Sequence, residues 1–129
     1  MTLKSVVPML QTWDLKASIN FYTDVLGFTC ERAIEGWASL RRDDVNIMLS
    51  GPNQHDGATS PTFTGSLYIK TDHVDDLWDR LKDKARLCYP IEDFEYGMRE
   101  FAIYDNNGYI LQFGQPVLKR ARDTANVGN

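Results

Sequence analysis

The chain has 129 residues, the length of one ordinary domain, and carries a formal net charge of −4. No stretch approaches the roughly 18 consecutive apolar residues of a membrane-spanning helix. No run of Lys and Arg precedes the C-terminal segment, so the sequence lacks the positive footprint of a nucleic-acid-binding protein. These features predict a protein with neither a membrane nor a nucleic-acid partner, and the acidic balance favours a cationic ligand. The first ten residues lack the apolar stretch and small-residue cleavage site of a signal peptide, so we expect a cytoplasmic location.

The first elements along the chain are a strand, a helix and a hairpin. An apolar run at residues 7–12 predicts the strand. Asp14 is placed to cap a helix over residues 16–26, which carries an apolar stripe at helical spacing and stops at Gly27. Residues 37–50 then read as two short strands about a polar centre, which is typical of a β-hairpin.

The same order of elements recurs in the second half of the chain. Val74 begins an apolar pattern at helical spacing, and residues 101–114 overlay the first hairpin without a gap at a constant offset of 64. The sequence therefore predicts one domain over residues 1–129, made of two repeats. Its parts are repeat one at about 5–51, a linker at about 52–64, repeat two at about 65–115 and a mobile tail at 116–129.

Alternation along the strands separates two faces of the predicted sheet. One face is almost wholly apolar and is expected to lie under the helices: Leu10, Val45, Ile47, Leu49, Leu67, Ile69, Tyr109, Leu111 and Phe113. The other face mixes apolar, thioether and hydrogen-bonding groups: Val7, Met9, Gln11, Asn46, Met48, Ser66, Tyr68, Lys70, Ile110 and Gln112. Such a mixture is typical of a small-molecule pocket, with the solvated face of an antiparallel sheet as the alternative.

The two hairpin turns fix which side chains share this mixed face. We expect tight turns at the polar centres, residues 42–43 and 106–107. The resulting neighbours on the mixed face are Trp37 beside Met48 and Phe101 beside Gln112. The pairing therefore predicts two aromatic rings in the candidate pocket.

Several segments together resemble a known family. FYTDVLGF at residues 21–28, RRDDVNIML at 41–49 and YGMREFAIYDNNGYILQFGQ at 96–115 resemble the vicinal-oxygen-chelate superfamily, and within it the bleomycin-resistance (antibiotic-binding) proteins. The resemblance covers roughly residues 5–116. It implies an α+β fold in which two βαβββ repeats form a half-open curved sheet with helices on its convex side. It also implies a homodimer with ligand in grooves shared between subunits.

The resemblance also locates the positions at which superfamily enzymes hold a divalent metal. Carried over one at a time, these positions are Val7, Met48, Ser66 and Gln112. A catalytic metal needs three or more converging N, O or S donors, and here the amide of Gln112 is the one plausible ligand. We therefore expect no metal and no cofactor, and we expect Gln112 to hydrogen-bond either a ligand or Ser66.

Other potentially reactive residues have plainer interpretations. His55 lies in the linker and His73 at the start of the second helix, where surface or capping roles are expected. Cys30 and Cys88 lack the CxxC spacing of a redox or zinc motif and are expected to be reduced. The sequence shows no nucleophile-and-base order and no phosphate-binding loop, so it predicts no catalytic residues.

The predicted function is therefore binding and sequestration of a planar, cationic compound of the bleomycin type. By the resemblance, Tyr96 stands where a ligand-stacking Trp is commoner, and Trp37 supplies a second aromatic surface. The predicted ligand-binding residues are Trp37, Met48, Ser66, Tyr68, Tyr96, Phe101 and Gln112. Two alternatives stay open: a superfamily member that binds some other metabolite, and a metal-dependent lyase or dioxygenase.

Overall fold

The computed structural model describes residues 2, 4–51 and 62–117. Most of the predicted linker, including His55, and nearly all of the predicted tail lie outside the described residues. Within the described part of the chain, no helix is long and apolar enough to cross a membrane.

The described elements form two copies of a βαβββ unit, which confirms the predicted α+β class. The first copy consists of β1 Met9–Gln11, α1 Leu15–Asn20, β2 Thr29–Ile34, β3 Trp37–Arg42 and β4 Val45–Ser50, with a π-helical turn, Phe21–Val25, that directly continues α1. The second consists of β5 Ser66–Lys70, α2 Val74–Leu81, β6 Arg86–Asp93, β7 Met98–Tyr104 and β8 Ile110–Pro116. Each copy has its own sheet, in the orders β1-β4-β3-β2 and β5-β8-β7-β6. The first and last strand of each copy are parallel, and the other pairs are antiparallel.

The helix ends follow from local chemistry. Asp14 accepts a hydrogen bond from the backbone N–H of Ala17 at 3.0 Å, so it caps α1 as predicted. Gly27 ends the first helical segment with φ of +73°, a conformation that a side chain would strain. The second helix has no local side-chain cap; instead the amide oxygen of Gln115 accepts from the N–H of Val74 at 2.9 Å. Strand β8 therefore anchors α2 directly.

One hydrophobic core joins the two repeats. The predicted apolar faces of both sheets and the apolar stripes of both helices meet in a single cluster, which includes Leu10, Tyr22, Leu26, Phe28, Leu40, Ile47, Leu49, Val74, Leu77, Leu81, Phe101, Ile103, Tyr109, Leu111 and Phe113. Because both sheets turn their apolar faces toward this common core, their other faces point away from it. We call these outward faces the open faces.

The first hairpin keeps the predicted faces although its turn is displaced. Arg42 pairs with Val45, so the two-residue turn is at Asp43 and Asp44, one position later than predicted. When the centre of a turn moves by one residue, each residue's partner on the opposite strand moves by two residues. Since side chains alternate between faces, every side chain stays on its predicted face. Trp37 therefore pairs with Ser50 but remains on the same open face as Met48.

The second hairpin differs from the prediction in a way that matters for the site. Tyr104 pairs with Ile110, and the turn between them closes with a hydrogen bond from the Gly108 N–H to the Asp105 carbonyl. This loop is one residue longer than the predicted turn, with Gly108 at φ of +89°. The register therefore changes by one residue and the two faces of β7 exchange places.

Candidate functional site

The exchange of faces on β7 corrects the prediction for Phe101. Phe101 pairs with Phe113, is fully buried, and packs in the core with its ring centroid 5.2 Å from Phe113 and 5.4 Å from Trp78. Its neighbour Glu100 takes the place on the open face instead. Phe101 is therefore a core residue, and its predicted role in the pocket was wrong.

Glu100 is the centre of a polar cluster on the open face of the second sheet. Its carboxylate accepts hydrogen bonds from the hydroxyl groups of Tyr89, at 3.0 Å, and Tyr96. The hydroxyl of Tyr68 interacts with the same carboxylate. We call Tyr68, Tyr89, Tyr96 and Glu100 the tyrosine cluster. Glu100 is fully buried.

The charge of the cluster is not balanced locally. Among the described residues, Glu100 forms no ion pair with Lys, Arg or His. Burial, and then the nearby Glu100 carboxylate, raise the pKa of Tyr89 to about 12 and also raise the pKa of Tyr68. The phenol groups of Tyr68 and Tyr89 therefore stay protonated at neutral pH, and the Tyr89 hydroxyl continues to donate to Glu100.

Gln112 extends the cluster by a chain of hydrogen bonds. Its Nε2 donates to the hydroxyl of Tyr89 at 2.9 Å, and its Oε1 accepts from the hydroxyl of Ser66 at 2.5 Å. The predicted contact between Gln112 and Ser66 is thus present. Both ends of the amide are already engaged within the protein, so Gln112 helps to hold Tyr89 in place.

Tyr96 presents the most exposed aromatic surface of the cluster. It is 66% exposed and stacks on Phe94, with ring centroids 5.5 Å apart and planes 10° apart. The turn that carries it closes between the Gly97 N–H and the Phe94 carbonyl, with Gly97 at φ of +87°. This geometry fixes one face of the Tyr96 ring against protein and leaves the other accessible.

A glycine makes room for the third tyrosine. Gly114 lies opposite Lys70 on β5 and next to Glu100 on β7, and a Cβ at this position would overlap the Tyr68 hydroxyl. Tyr68 can therefore lie across the sheet toward Glu100 because residue 114 has no side chain.

The open face of the first sheet has a different character. Trp37 and Met48 are half-buried and Met9, which pairs with Met48, is 55% exposed. Trp37 and Met48 make no ring contact or side-chain hydrogen bond with the tyrosine cluster. One chain therefore carries two separate patches, an apolar one with Trp37 and a phenolic one around Glu100, on faces that both point away from the core.

Glu100 and Tyr89 are the residues of this site that the sequence-based prediction missed. The signal for them was the Asn-Asn-Gly sequence at residues 106–108, because a glycine in third place favours a three-residue hairpin loop over a two-residue turn. That choice places Glu100 on the open face. The approach of Tyr89 depends on irregular pairing between β6 and β7, which has no comparable sequence signal.

The four positions that resemble superfamily metal ligands do not form a metal site. Val7 and Met48 are apolar, and the hydroxyl of Ser66 is bonded to the Gln112 amide. Within the described ranges, no group of three or more His, Cys, Asp or Glu side chains could hold a metal ion. Two neutral oxygen donors lack the charge and number that a catalytic divalent ion requires, so the residues present do not fit one.

Metal ions should accordingly have little effect on the protein. Zinc, nickel, manganese or iron(II) at a small excess over protein should leave the melting temperature almost unchanged, because a ligand stabilises the folded state only when its concentration exceeds its dissociation constant. Thermal unfolding with each ion, followed by elemental analysis after desalting, tests this. A stoichiometric ion that survives desalting would contradict the interpretation of these four positions.

Comparison with known proteins agrees with the fold and with the motifs. Residues 4–113 match the model of the Glyoxalase/Bleomycin resistance protein/Dioxygenase superfamily. A bleomycin resistance protein from Geobacillus stearothermophilus is 29% identical over 127 residues, which cover 86% of this chain and 96% of that protein.

Two solved structures share the fold over most of their length. The bleomycin-binding protein of bleomycin-producing Streptomyces verticillus, solved with copper(II)-bleomycin, has a TM-score of 0.69 and 24% identity, covering 88% of this chain and 96% of that one. The bleomycin resistance determinant encoded on transposon Tn5 has a TM-score of 0.73 and 22% identity, covering 90% and 100%.

These likenesses agree with the architecture described above, in which two tandem βαβββ units each contribute one sheet. The chain belongs to the Glyoxalase/Bleomycin resistance protein/Dioxygenase superfamily.

Proposed function

We propose that this protein binds and sequesters a planar, cationic small molecule of the bleomycin type without changing it chemically. The observation that carries the proposal is the Glu100 carboxylate, which no described cation neutralises and which accepts hydrogen bonds from two tyrosine hydroxyl groups on an open face. The relatives named as bleomycin resistance proteins support the ligand class. The cytoplasmic location expected from the sequence is part of this proposal.

The tyrosine cluster favours a cation for two reasons. A cation above a phenol ring is attracted by the negative face of the ring, by about 0.5–2 kcal/mol depending on how far it is desolvated. The carboxylate of Glu100 lies at the hydroxyl ends of these rings and adds a longer-range attraction, which is stronger beside protein than in bulk water. Because the hydroxyl groups of Tyr89 and Tyr96 already donate to Glu100, these two rings offer a ligand their faces and not their donors.

Flat aromatic surfaces would supply the rest of the binding energy. The outer face of Tyr96 and the half-buried Trp37 can each stack on a heteroaromatic ring. In one chain these two residues lie on different open faces. We infer that a second copy of the chain completes the groove, so that Trp37 of one protomer and Tyr96 of its partner bind opposite sides of one ligand.

The homodimer is open to a simple test. Exposed apolar residues on the first open face, Met9 at 55% and Ile34 at 53%, are surface that a symmetric partner would cover. Sedimentation at micromolar concentration should give twice the 14.8 kDa mass of the chain. A monomer under these conditions would remove the shared groove from the proposal.

Replacing Glu100 with Gln tests the cation preference. Glu100→Gln keeps an oxygen acceptor for the tyrosine hydroxyl groups but removes the charge, so affinity for a bleomycin-type compound with a cationic tail should fall about tenfold. An analogue with a neutral tail is the matched ligand, and its affinity should hardly change. Equal losses for both ligands, or none for either, would contradict a role for the Glu100 charge.

The metal-dependent lyase or dioxygenase alternative has no support in the donor set at Val7, Met48, Ser66 and Gln112. Binding of another metabolite would use the same open faces. A ligand screen by tryptophan fluorescence separates that alternative from binding of a bleomycin-type compound.

A further inference from the structure

The two repeats meet at two related junctions. At each one, the turn of one repeat's last hairpin approaches the end of the other repeat's first strand and the start of its helix. The first junction brings the turn between β7 and β8 to β1 and α1. The second brings the turn between β3 and β4 near β5 and α2. The internal repeat lets each position in one junction be compared with its counterpart in the other.

The first junction is closed by side chains. The hydroxyl of Tyr109 donates to the carbonyl of Gln11 at 2.7 Å, and the hydroxyl of Tyr22 donates to the carboxylate of Asp105 at 2.8 Å. The amides of Asn106 and Asn107 both donate to the hydroxyl of Ser18, at 2.9 and 3.1 Å. The ring of Tyr109 therefore fills this junction, packing in the core while its hydroxyl donates to a carbonyl of β1.

The second junction has none of these groups. On the last strand of each repeat the offset is 64, so Val45 stands where Tyr109 stands in the first junction. From the first strand through the helix the offset is 59, which places Leu77 at the position of Ser18 and Leu81 at that of Tyr22. Among the described residues, no side-chain hydrogen bond crosses from the turn at Asp43 and Asp44 to β5 or α2.

A cleft of about 440 Å³ occupies the place of the missing groups. Its floor is apolar and is formed by Leu26, Phe28, Val45, Ile69, Leu77 and Phe113. Its rim carries charges of both signs, positive from Arg42 and Lys70 and negative from Asp43, Asp44 and Asp72. A cleft of this volume suits a small molecule, and the mixed rim favours one without net charge.

The first junction shows which chemistry fits such a space. The counterpart of the Gln11 carbonyl, which accepts from Tyr109, is the carbonyl of Lys70, and Lys70 also borders the cleft. No described side chain donates to that carbonyl. We propose that the cleft binds a neutral phenolic ligand, whose ring packs on Val45, Leu77 and Phe113 and whose hydroxyl donates to the Lys70 carbonyl. This site is separate from the open faces and does not depend on the proposed function.

The test is an NMR titration of isotope-labelled protein with p-cresol, and with toluene as the matched ligand without a hydroxyl. Methyl signals of Val45, Ile69 and Leu77 should shift saturably with p-cresol, and toluene should bind about twofold to tenfold more weakly because it lacks one hydrogen bond. Shifts that do not saturate, shifts confined to open-face residues such as Ser66 and Gln112, or equal affinity for toluene would overturn the proposal.

Two substitutions at one position locate the site. Val45→Tyr supplies the ring that Tyr109 provides in the first junction, so it should abolish the p-cresol shifts of Leu77 while leaving the affinity for a bleomycin-type compound unchanged. Val45→Ala leaves the cleft open and should still bind p-cresol. A folded Val45→Tyr protein with wild-type affinity for p-cresol would contradict the proposal; if that variant does not fold, the wild-type comparison of p-cresol with toluene decides.

Discussion

Phe101→Ala should lower the free energy of unfolding by about 3–5 kcal/mol, the usual cost of removing a fully buried phenylalanine ring. Phe101 has no exposed surface and lies between Trp78 and Phe113, so its removal leaves a cavity that neighbours from a helix and a strand would have to fill. The unfolding midpoint in urea, with an unchanged m-value, measures the loss. Phe101→Leu provides a milder variant with a smaller loss.

Phe63→Ala is the matched control, because it makes the same change at a ring that is 49% exposed. It should cost much less, since exposed positions without special contacts rarely change stability by more than about 0.5 kcal/mol and Phe63 adds one edge contact with Tyr109. If Phe101→Ala instead left stability unchanged and weakened ligand binding, Phe101 would lie on the open face and the register of the second hairpin would be wrong.

Trp37→Ala and Tyr96→Ala should each weaken binding of a bleomycin-type compound by about 2 kcal/mol or more, which is upward of tenfold in dissociation constant. Each substitution removes a stacking partner and the apolar area that it buries. Gln112→Ala should cost less, about 0.5–1.5 kcal/mol, because this amide is already bonded to Ser66 and Tyr89 and its removal affects the ligand only through the lost neutral hydrogen bond that holds Tyr89. Calorimetric titration of the three variants gives the order.

Tyr96→Phe is the control for the stacking interpretation. It keeps the ring on Phe94 and removes only the hydroxyl that donates to Glu100. Its affinity should therefore stay close to wild type, whereas Tyr96→Ala should lose most of the contribution of this position. An order with Gln112 first and the two aromatic residues second would point to a metal-centred site instead.

The sequence was sufficient for the features that depend on local periodicity. The apolar stripes of the two helices, the cap at Asp14 and the faces of β1, β4, β5 and β8 were predicted correctly, because each follows from side-chain spacing within one element. Trp37 lies on the predicted face although the first turn was predicted one residue too early, since a displacement of the turn centre by one residue preserves the face of each side chain.

The errors and omissions concern loop length and long-range contacts. One additional residue in the second hairpin loop moved Phe101 into the core and brought Glu100 to the open face. The additional residue was not visible in the alignment of the two hairpins at a constant offset of 64. That offset relates equivalent positions of β4 and β8, but it does not relate equivalent positions of β3 and β7. The cap on α2 from Gln115 and the approach of Tyr89 to Glu100 join distant segments, and no local pattern predicts such contacts.

The central claim is that the open faces hold a planar cationic compound and return it unchanged. The most direct measurement is titration of a bleomycin-type compound into the wild-type protein, followed by release of the compound and mass spectrometry. We predict saturable binding with quenching of tryptophan fluorescence, and recovery of the compound at its original mass after prolonged incubation. Absence of saturable binding, or recovery of a chemically modified compound, would contradict the sequestration function.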